Sequence, residues 1–132
     1  MPGSFLDTNI LLYAVSADAT KAAVANRLIR EGGTISVQVL NEAANVTRRK
    51  LGWPCTDVKS FLAAVRGLLD VTPLTAETHD RAVRLAESYH LSIYDASIAA
   101  AALAAGCNRV WSEDLQDGMV LDGAVRIKNP FL

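Results

Sequence analysis

The length, composition and charge of the chain restrict what it can be. Its 132 residues are 51% hydrophobic and 20% charged, which is enough apolar surface for a packed core but too little chain for two independent cores. We therefore expect a single domain over residues 1–132. The formal net charge of −1 excludes a globally basic nucleic-acid-binding protein, so any contact with a polyanion must come from a local patch.

The sequence has no pattern typical of a disulfide framework, a zinc site, a signal peptide or a membrane-spanning segment. Cys55 and Cys107 lie in no CxxC or Cys/His spacing, so neither a zinc site nor a disulfide framework is predicted. The N-terminus lacks a basic segment followed by a long apolar one, and the apolar stretch 96–107 is too short to span a bilayer. We expect a cytoplasmic protein with no membrane segment.

The first part of the chain alternates short apolar segments with helical patterns. Asp7, Thr8 and Asn9 supply helix-start chemistry directly after an apolar segment. The basic residues 48–50 fit the C-terminal end of a helix, where the helix dipole favours cations. In chain order, we predict a strand at 4–6, helices at 10–14 and 18–31, a strand at 34–37 and a helix at 38–51.

The second part continues the alternation. Apolar residues from Thr56 onward recur at the i, i+3, i+4, i+7 spacing of an amphipathic helix. In chain order, we predict a helix at 56–69, a weaker extended segment at 70–73, a helix at 75–90, an alanine-rich helix that begins at Asp95 and ends at Gly106, a strand at 109–112, a polar loop at 113–118, and short strands at 119–121 and 124–127.

Strands separated by helices predict a three-layer α/β/α fold with a mainly parallel central sheet of four to five strands. In such open sheets, ligands bind beyond the carboxyl ends of the strands. Asp7 and Asp114 each follow a predicted strand, and Glu42 and Asp95 lie in the first turns of helices that begin at the same edge. Four acids from distant segments are therefore expected to converge.

Converging carboxylates predict a cation site. Two unit charges about 4 Å apart repel by roughly 4 kcal/mol at an effective dielectric near 20, so either protons or cations must compensate them. Carboxylate oxygens are the ligands that Mg²⁺ prefers. A metal held there can acidify water and align it against phosphorus, which favours phosphodiester hydrolysis without a nucleophilic side chain.

Each acid taken alone also has a structural explanation. Asp7 and Asp95 could be helix caps, Glu42 a solvated helix residue, and Asp114 and Asp117 loop acids. Their convergence is what favours a functional interpretation.

Cations and aromatic side chains are candidates for substrate contacts. Arg49 lies seven residues after Glu42, so an unbroken α-helix would place both on one face, about 10 Å apart along the axis. Arg49 and Lys50 are therefore predicted to contact substrate phosphates. Trp53 and Trp111 could stack on bases, but packing is the favoured role for both.

Five segments together resemble the PIN-domain ribonucleases, and in particular VapC-like toxins, the nuclease halves of bacterial toxin–antitoxin pairs. The matching segments are FLDTNILLYA (5–14), SVQVLNE (36–42), IYDASI (93–98), SEDLQDG (112–118) and RIKNPF (126–131). Tyr94 and Ser97 depart from the family's pattern, in which bulkier Trp and Leu are common, and this affects packing more than chemistry.

The resemblance implies a PIN-like fold and an endoribonuclease that uses Mg²⁺ or Mn²⁺. It also implies a homodimer and a cognate antitoxin that occupies the acidic groove. By motif match, the catalytic residues are Asp7, Glu42, Asp95 and Asp114, the metal ligands are Asp7, Asp95, Asp114 and Asp117, and the groups that support those ligands are Asn9 and Ser112.

Three other protein classes compete with this interpretation. A haloacid-dehalogenase-like phosphatase needs a second acid two residues after the first, where this chain has Asn9. A receiver-type signalling domain needs an acid pair beside Asp7 and a matching lysine at the end of a late strand, and we find neither. A PIN-like RNA- or protein-binding module without activity would be expected to lack a carboxylate, and none is missing.

Overall fold

The computed structural model describes residues 3–132. Within that range no helix is long and apolar enough to cross a membrane. The helices are α1 (Thr8–Ala14), α2 (Ala19–Glu31), α3 (Val37–Asn45), α4 (Cys55–Leu68), α5 (Ala76–Tyr89) and α6 (Ile93–Ala104), with a π-helical turn (Val46–Lys50) after α3. The strands are β1 (Ser4–Leu6), β2 (Thr34–Ser36), β3 (Asp70–Thr72), β4 (Arg109–Trp111), β5 (Val120–Leu121) and β6 (Val125–Lys128).

The strands form one sheet in the order β3-β2-β1-β4-β6-β5. All neighbouring pairs are parallel except β5 and β6, which are antiparallel. The mainly parallel sheet is as predicted, but the described residues contain six strands rather than four to five. The extra strand arises because the weak extended segment pairs with β2 along its whole length as β3.

The strand order assigns the helices to two faces of the sheet. The chain moves from β1 to β3 through α1–α4, and then returns past β1 to β4 through α5 and α6. Because parallel crossovers are right-handed, opposite directions of travel place these helices on opposite faces. The packing agrees, since α1 contacts α2 and α3 whereas α5 contacts α6. The direction in which the chain moves across the sheet reverses between β1 and β4. Open α/β sheets bind their ligands at such a reversal.

The core is continuous across the sheet. Phe5 and Leu6 of β1 are fully buried, as are Val110 and Ile127 on the neighbouring strands. Helix α6 contacts β2, β4 and β6, and its run of alanines at 99–102 is fully buried. Small side chains allow this helix to lie close to the sheet, which fixes the position of Asp95 in its first turn.

One glycine marks a close approach between strands. Gly33 precedes β2 and has φ 148. A Cβ atom at this position would lie 2.8 Å from the Ser4 carbonyl oxygen and 3.0 Å from Leu6 Cδ1. Any larger residue would push β2 away from β1, so the glycine is required for the sheet.

The helix predicted at 38–51 differs from the structure at both ends. Val37 is helical rather than extended, because Ser36 Oγ accepts a hydrogen bond from Val39 N and caps α3. The α-helix ends at Asn45 and continues as the π-helical turn, in which Leu51 N donates to Val46 O. The α-helical phase that would put Arg49 on the face of Glu42 is therefore not maintained, and that expectation was wrong.

Two other helix starts also differ from the prediction. Helix α4 begins at Cys55 after Pro54, so Thr56 lies inside the helix and is not its cap. Helix α6 begins at Ile93, because Ser92 Oγ accepts a hydrogen bond from Asp95 N. Asp95 is therefore in the first turn and its carboxylate is not used as the cap.

Candidate active site

The carboxyl ends of β1 and β4 bring the first and last acidic segments together. Leu6 pairs with Trp111 in the parallel register, and Asp7 N donates a 3.0 Å hydrogen bond to Trp111 O. The residues that follow each strand, Asp7 and Ser112, therefore lie side by side. This is the point at which the strand order reverses.

Asp7 is a buried carboxylate held in one orientation. Its side chain is the cap of α1, with Oδ1 accepting from Thr8 N at 2.7 Å. Oδ2 accepts from Ser112 Oγ at 2.7 Å and from Asn9 Nδ2 at 3.3 Å. Asp7 is therefore the helix cap that was one of its two predicted roles.

Burial raises the pKa of Asp7 from its usual 3.8 to about 6. The hydrogen bonds from Ser112 and Thr8 oppose this shift, because they stabilise the charged form. The charges of Asp114 and Glu42 add to the rise. Acids from three segments therefore act on one another electrostatically.

Asn9 connects Asp7 to Asp114. Its Nδ2 lies 3.3 Å from Asp7 Oδ2 and 3.2 Å from Asp114 Oδ2, and its Oδ1 accepts from Glu113 N at 3.2 Å. The amide donor thereby offsets part of the repulsion between the two carboxylates. Asn9 is therefore hydrogen-bonded to two of the four predicted acids.

Ser112 organises the loop after β4. Its Oγ donates to Asp7 and accepts from the backbone N–H groups of Asp114 at 3.1 Å and Leu115 at 3.2 Å. Since Ser112 is fully buried, these bonds are shielded from water. One hydroxyl therefore sets the position of Asp7 and of the exposed Asp114 together.

Asp95 approaches from α6. It is half-buried, and burial, followed by the charge of Asp114, raises its pKa above the usual 3.8, while the hydrogen bond from Ser92 lowers it. Asp114 is thus the acid that influences both Asp7 and Asp95.

Glu42 is positioned by a residue that the sequence analysis missed. Gln38 Nε2 donates to Glu42 Oε1 at 2.9 Å and to Tyr94 O at 3.2 Å, which ties α3 to the start of α6. A glutamine four residues before a glutamate on a helix is a local signal that could have suggested the first contact. The second contact depends on tertiary packing.

The hydrogen-bonded group consists of Asp7, Asn9, Ser112 and Asp114. Within the described residues, Glu42 is bonded to Gln38 and Asp95 to Ser92 rather than to this group. Asp117, Arg49 and Lys50 also lie outside it. Asp117 Oδ1 accepts from Asn129 N at 2.7 Å and so contacts the C-terminal segment rather than another acid. Arg49 and Lys50 are exposed on the π-helical turn, and neither forms an ion pair in the described part of the chain.

The aromatic residues are placed as packing elements. Trp53 packs edge-on against Phe61, with ring centroids 5.6 Å apart. Trp111 is half-buried, and the Arg109 guanidinium lies over its ring at 4.8 Å.

A second group of side chains holds the acidic loop, by which we mean residues 113–118 after β4. Glu113, next to Asp114, accepts from Tyr13 OH at 2.6 Å and pairs with Lys21 Nζ at 2.8 Å. The Tyr13 ring meets Phe131 edge-on at 4.9 Å. The hydrogen bonds from Lys21 and Tyr13 lower the pKa of Glu113, so this carboxylate is kept charged as an anchor.

The donor set is suited to a hard divalent cation, because it consists of carboxylate oxygens from distant segments. Within residues 3–132, no three His, Cys, Asp or Glu side chains already stand close enough to form a ready ligand group. Asn9 lies between Asp7 and Asp114 instead. Nearby, Thr8 Oγ1 is the one buried side-chain oxygen or nitrogen in this range without a hydrogen-bond partner.

The sequence matches a known family over most of its length. The model described as the PIN domain matches residues 4–116, a range that includes all four predicted catalytic acids. The chain belongs to the PIN-domain family. The resemblance inferred from the motifs is confirmed. No curated protein matches this PIN-domain chain.

Solved structures similar to this PIN-domain protein include toxins and toxin–antitoxin complexes. VapC20 of Mycobacterium tuberculosis, described as a sarcin-ricin loop cleaving toxin, is 21% identical with a TM-score of 0.68 over 84% of this chain and 91% of its own. A toxin–antitoxin complex from Klebsiella pneumoniae is 20% identical with a TM-score of 0.73 over 96% and 97%. VapBC2 of Rickettsia felis, bound to promoter DNA, is 21% identical with a TM-score of 0.68 over 98% of both chains. These similarities establish the shared fold, and the predicted PIN-like α/β/α architecture is confirmed.

Proposed function

We propose that this PIN-domain protein is a metal-dependent endoribonuclease that acts in the cytoplasm as the toxin of a toxin–antitoxin pair. The observation that carries the proposal is the meeting of the first and last acidic segments at the carboxyl ends of β1 and β4, where Asn9 Nδ2 lies 3.3 Å from Asp7 Oδ2 and 3.2 Å from Asp114 Oδ2. After desolvation, the charges of Asp114 and Glu42 raise the pKa of Asp7, and the charge of Asp114 raises that of Asp95. Such coupling at the switch point is suited to binding a cation beside a phosphodiester.

The proposed ligands of Mg²⁺ or Mn²⁺ are Asp7, Asp95 and Asp114. When bound, such an ion supplies acidity to water and stabilises charge on the phosphate. Asp117 was predicted as a further ligand, but its hydrogen bond joins it to Asn129 N in the C-terminal segment and not to the group around Asp7 and Asp114, so it is not one of the three proposed ligands.

The protein's own groups supply orientation and a proton acceptor. Ser112 Oγ and Thr8 N hold the Asp7 carboxylate from two sides. Gln38 holds Glu42 through Oε1, which leaves Oε2 to accept the proton of the attacking water. Glu42 is therefore the proposed general base.

Cleavage of single-stranded RNA by chelator-treated protein, with and without added Mg²⁺ or Mn²⁺, tests this function. We expect cleavage only with the metal. Asp95→Asn should reduce the rate by more than about a hundredfold, because even residues that merely support metal ligands are worth about 10–100-fold. Asp80→Asn, an exposed acid of α5, is the matched control and should retain full activity.

The same assay separates the competing functions. Full RNA cleavage in excess chelator would overturn the metal-dependent mechanism. Hydrolysis of p-nitrophenyl phosphate without RNA cleavage would indicate a phosphatase. RNA binding without cleavage at any metal concentration would indicate a binding module.

An apolar groove beside the acids supports the proposed antitoxin partner. The groove has a volume of about 570 Å³ and is lined by Asn9, Leu12, Tyr13, Val15, Ser16, Ala17, Val46, Leu51 and Trp53. Leu51 is 52% exposed, and exposed apolar side chains around a cleft are typical of protein interaction sites. Because Asn9 also contacts Asp7 and Asp114, an antitoxin in the groove could place an arginine on both carboxylates.

The antitoxin proposal is tested with the product of a short reading frame adjacent to the gene. Leu51→Glu should weaken its binding while RNA cleavage is unchanged. An inhibitor that binds the Leu51→Glu variant as tightly as the unaltered protein would exclude the groove.

A homodimer is the proposed assembly. Tyr94 is 71% exposed and Ile93 is 37% exposed at the start of α6, next to Asp95. Sedimentation of Tyr94→Glu should show a monomer if this apolar pair lies in the dimer interface. Val83→Glu, at a residue of α5 that is 48% exposed, should not change the oligomeric state.

A further inference from the structure

One face of the sheet carries a row of cations at β4 and β6. Helix α6 packs against both strands, and Val110 and Ile127, which are paired in register, are fully buried. Because side chains alternate between faces along a strand, the flanking residues point to the opposite face. Those residues are Arg109, Trp111, Arg126 and Lys128, and we call Arg109, Arg126 and Lys128 the basic strip.

The basic strip is concave and electrostatically uncompensated. Arg109 pairs in register with Arg126, and Trp111 with Lys128. The strip lines a pocket of about 440 Å³ together with Asn108, Val120, Gly123 and Ala124. In the described part of the chain, no member of the strip forms an ion pair, although the chain has a net charge of −1.

One member of the strip is fixed and the other two are available. Arg109 donates to Ser4 Oγ from Nε at 3.3 Å and from Nη2 at 3.1 Å, and its guanidinium lies over Trp111. Arg126 and Lys128 are exposed. A fixed guanidinium loses little freedom on binding an anion, so the strip is partly preorganised.

The strip leads towards the acids. Lys128 O accepts a 3.0 Å hydrogen bond from Ser112 N, and Ser112 in turn contacts Asp7. The carboxylates themselves repel a polyanion. A substrate that reaches them therefore needs attraction from a surface nearby, and the basic strip ends at Lys128, whose backbone is hydrogen-bonded to that of Ser112 at the edge of the site.

We propose that the basic strip binds backbone phosphates of a single-stranded RNA segment that extends away from the carboxylate site. The inference rests on the proposed ribonuclease function and identifies how this chain holds its polyanionic substrate. Arg109 and Arg126 lie on neighbouring strands about 4.8 Å apart, while Arg126 and Lys128 are about 6.6 Å apart along one strand. The three cations can thus follow a phosphate backbone rather than surround one isolated anion.

The test measures RNA binding in an Asp95→Asn background, in which the RNA should stay intact. The probes are fluorescein-labelled oligouridylates of about 4 and about 20 nucleotides, because single domains cover roughly 4–16 nucleotides of single-stranded nucleic acid. Adding Arg126→Ala and Lys128→Ala should weaken binding of the longer probe roughly tenfold and lower its salt slope by about 0.7 for each lost phosphate contact. Binding of the shorter probe should change little.

Two control proteins separate specific contacts from net charge and folding. Lys59→Ala with Arg66→Ala removes two exposed cations from α4 and should leave binding unchanged. Arg126→Lys with Lys128→Arg keeps both charges and should preserve the salt slope. Thermal melting of each variant shows whether the fold is retained.

The other outcomes are decisive. Unchanged binding of the longer probe by the alanine variant would overturn the proposal, as would an equal loss with the α4 control. Binding of an oligoglutamate peptide is measured in the same way. If the alanine variant loses this binding but keeps its RNA binding, the strip binds an acidic protein segment instead. If the unaltered protein fails to cleave RNA, the ribonuclease function fails, whereas these binding measurements still decide the role of the strip.

Discussion

Ser112 Oγ donates a 2.7 Å hydrogen bond to Asp7 Oδ2, although 105 positions separate the two residues in the chain. The same oxygen accepts from two backbone N–H groups of the loop that carries Asp114. One buried hydroxyl thus links the orientation of the first carboxylate to the position of the last. Removing the Ser112 hydroxyl should therefore change both the pKa of Asp7 and the stability of the loop that carries Asp114.

Ser112→Ala should raise the pKa of Asp7 further, because the Ser112 hydrogen bond is the largest influence that lowers it. It should also reduce stability by about 1–3 kcal/mol, since the buried N–H of Leu115 and the partly buried N–H of Asp114 lose their acceptor. NMR titration of Asp7 and urea unfolding measure the two effects. Ser60→Ala, at an exposed position of α4, should change neither, and an unaltered Asp7 pKa in Ser112→Ala would contradict the assigned role.

Asp7→Asn should stabilise the metal-free protein at neutral pH. The folded-state pKa of about 6 lies above the usual 3.8, so the folded protein binds this proton more tightly than the unfolded chain does. The contribution of Asp7 to stability therefore falls as pH rises from about 4 to about 6 and stays low above that range. Each pKa unit corresponds to about 1.4 kcal/mol, so the gain on neutralisation should reach at most about 3 kcal/mol.

Thermal and urea unfolding in chelator at acidic and neutral pH check this prediction. The stability difference between Asp7→Asn and the unaltered protein should shrink at acidic pH, where Asp7 is protonated. Asparagine can still cap α1, so a large loss of stability at neutral pH would mean that the Asp7 charge is favourable in the fold.

Gln38→Ala should slow RNA cleavage roughly tenfold while lowering stability by no more than about 1.5 kcal/mol. The reason is that Gln38 orients Glu42, whereas a hydrogen bond in a partly exposed setting contributes only about 0.5–1.5 kcal/mol to folding. Cleavage rates and urea unfolding give the two numbers. Asn41→Ala, exposed on the same helix, is the control. An equal loss of rate in both variants would mean that α3 is generally sensitive rather than that Gln38 positions the base.

The sequence could predict that Asp7 and Asp114 lie close together because the signals for both are local. Asp7 follows a buried apolar segment, and strand ends in a parallel sheet meet at one edge. The prediction that Arg49 shares a helix face with Glu42 was wrong, because no residue pattern in the sequence indicates the π-helical turn that begins after Asn45. The residues that position the acids were harder to predict from the sequence. The Lys21 and Glu113 pair spans 92 positions, and such contacts depend on packing that periodicity does not encode.

The basic strip illustrates the same limit. Arg109 is separated in the chain from Arg126 and Lys128 by a loop and strand β5, and only the register of β4 against β6 puts it on their face of the sheet. A shift of one residue in that register would turn the β6 cations to the buried side. Strand propensity predicts neither the partner nor the register, so this surface required the structure.

The ion pair between Lys21 and Glu113 provides the sharpest test of how the acidic loop is held. Both side chains are partly exposed, at 32% and 29%, so the pair should contribute little to stability. Its effect on catalysis should be larger, because Glu113 N also donates to Asn9 Oδ1. We expect Lys21→Met to lower kcat roughly tenfold, or about 1.4 kcal/mol in activation free energy, with little change in KM.

A double-mutant cycle distinguishes positioning from simple charge. If Lys21 only attracts RNA, Lys21→Met should weaken binding and Glu113→Gln should strengthen it. If the pair positions the loop, both single variants should lower kcat by similar factors, and the double variant should be no worse than either one, because each removes the same contact. Arg27→Ala breaks an exposed pair with Glu31 of similar length, 2.9 Å, and should leave kcat unchanged. Opposite effects of the two single variants on RNA affinity would reject the positioning role.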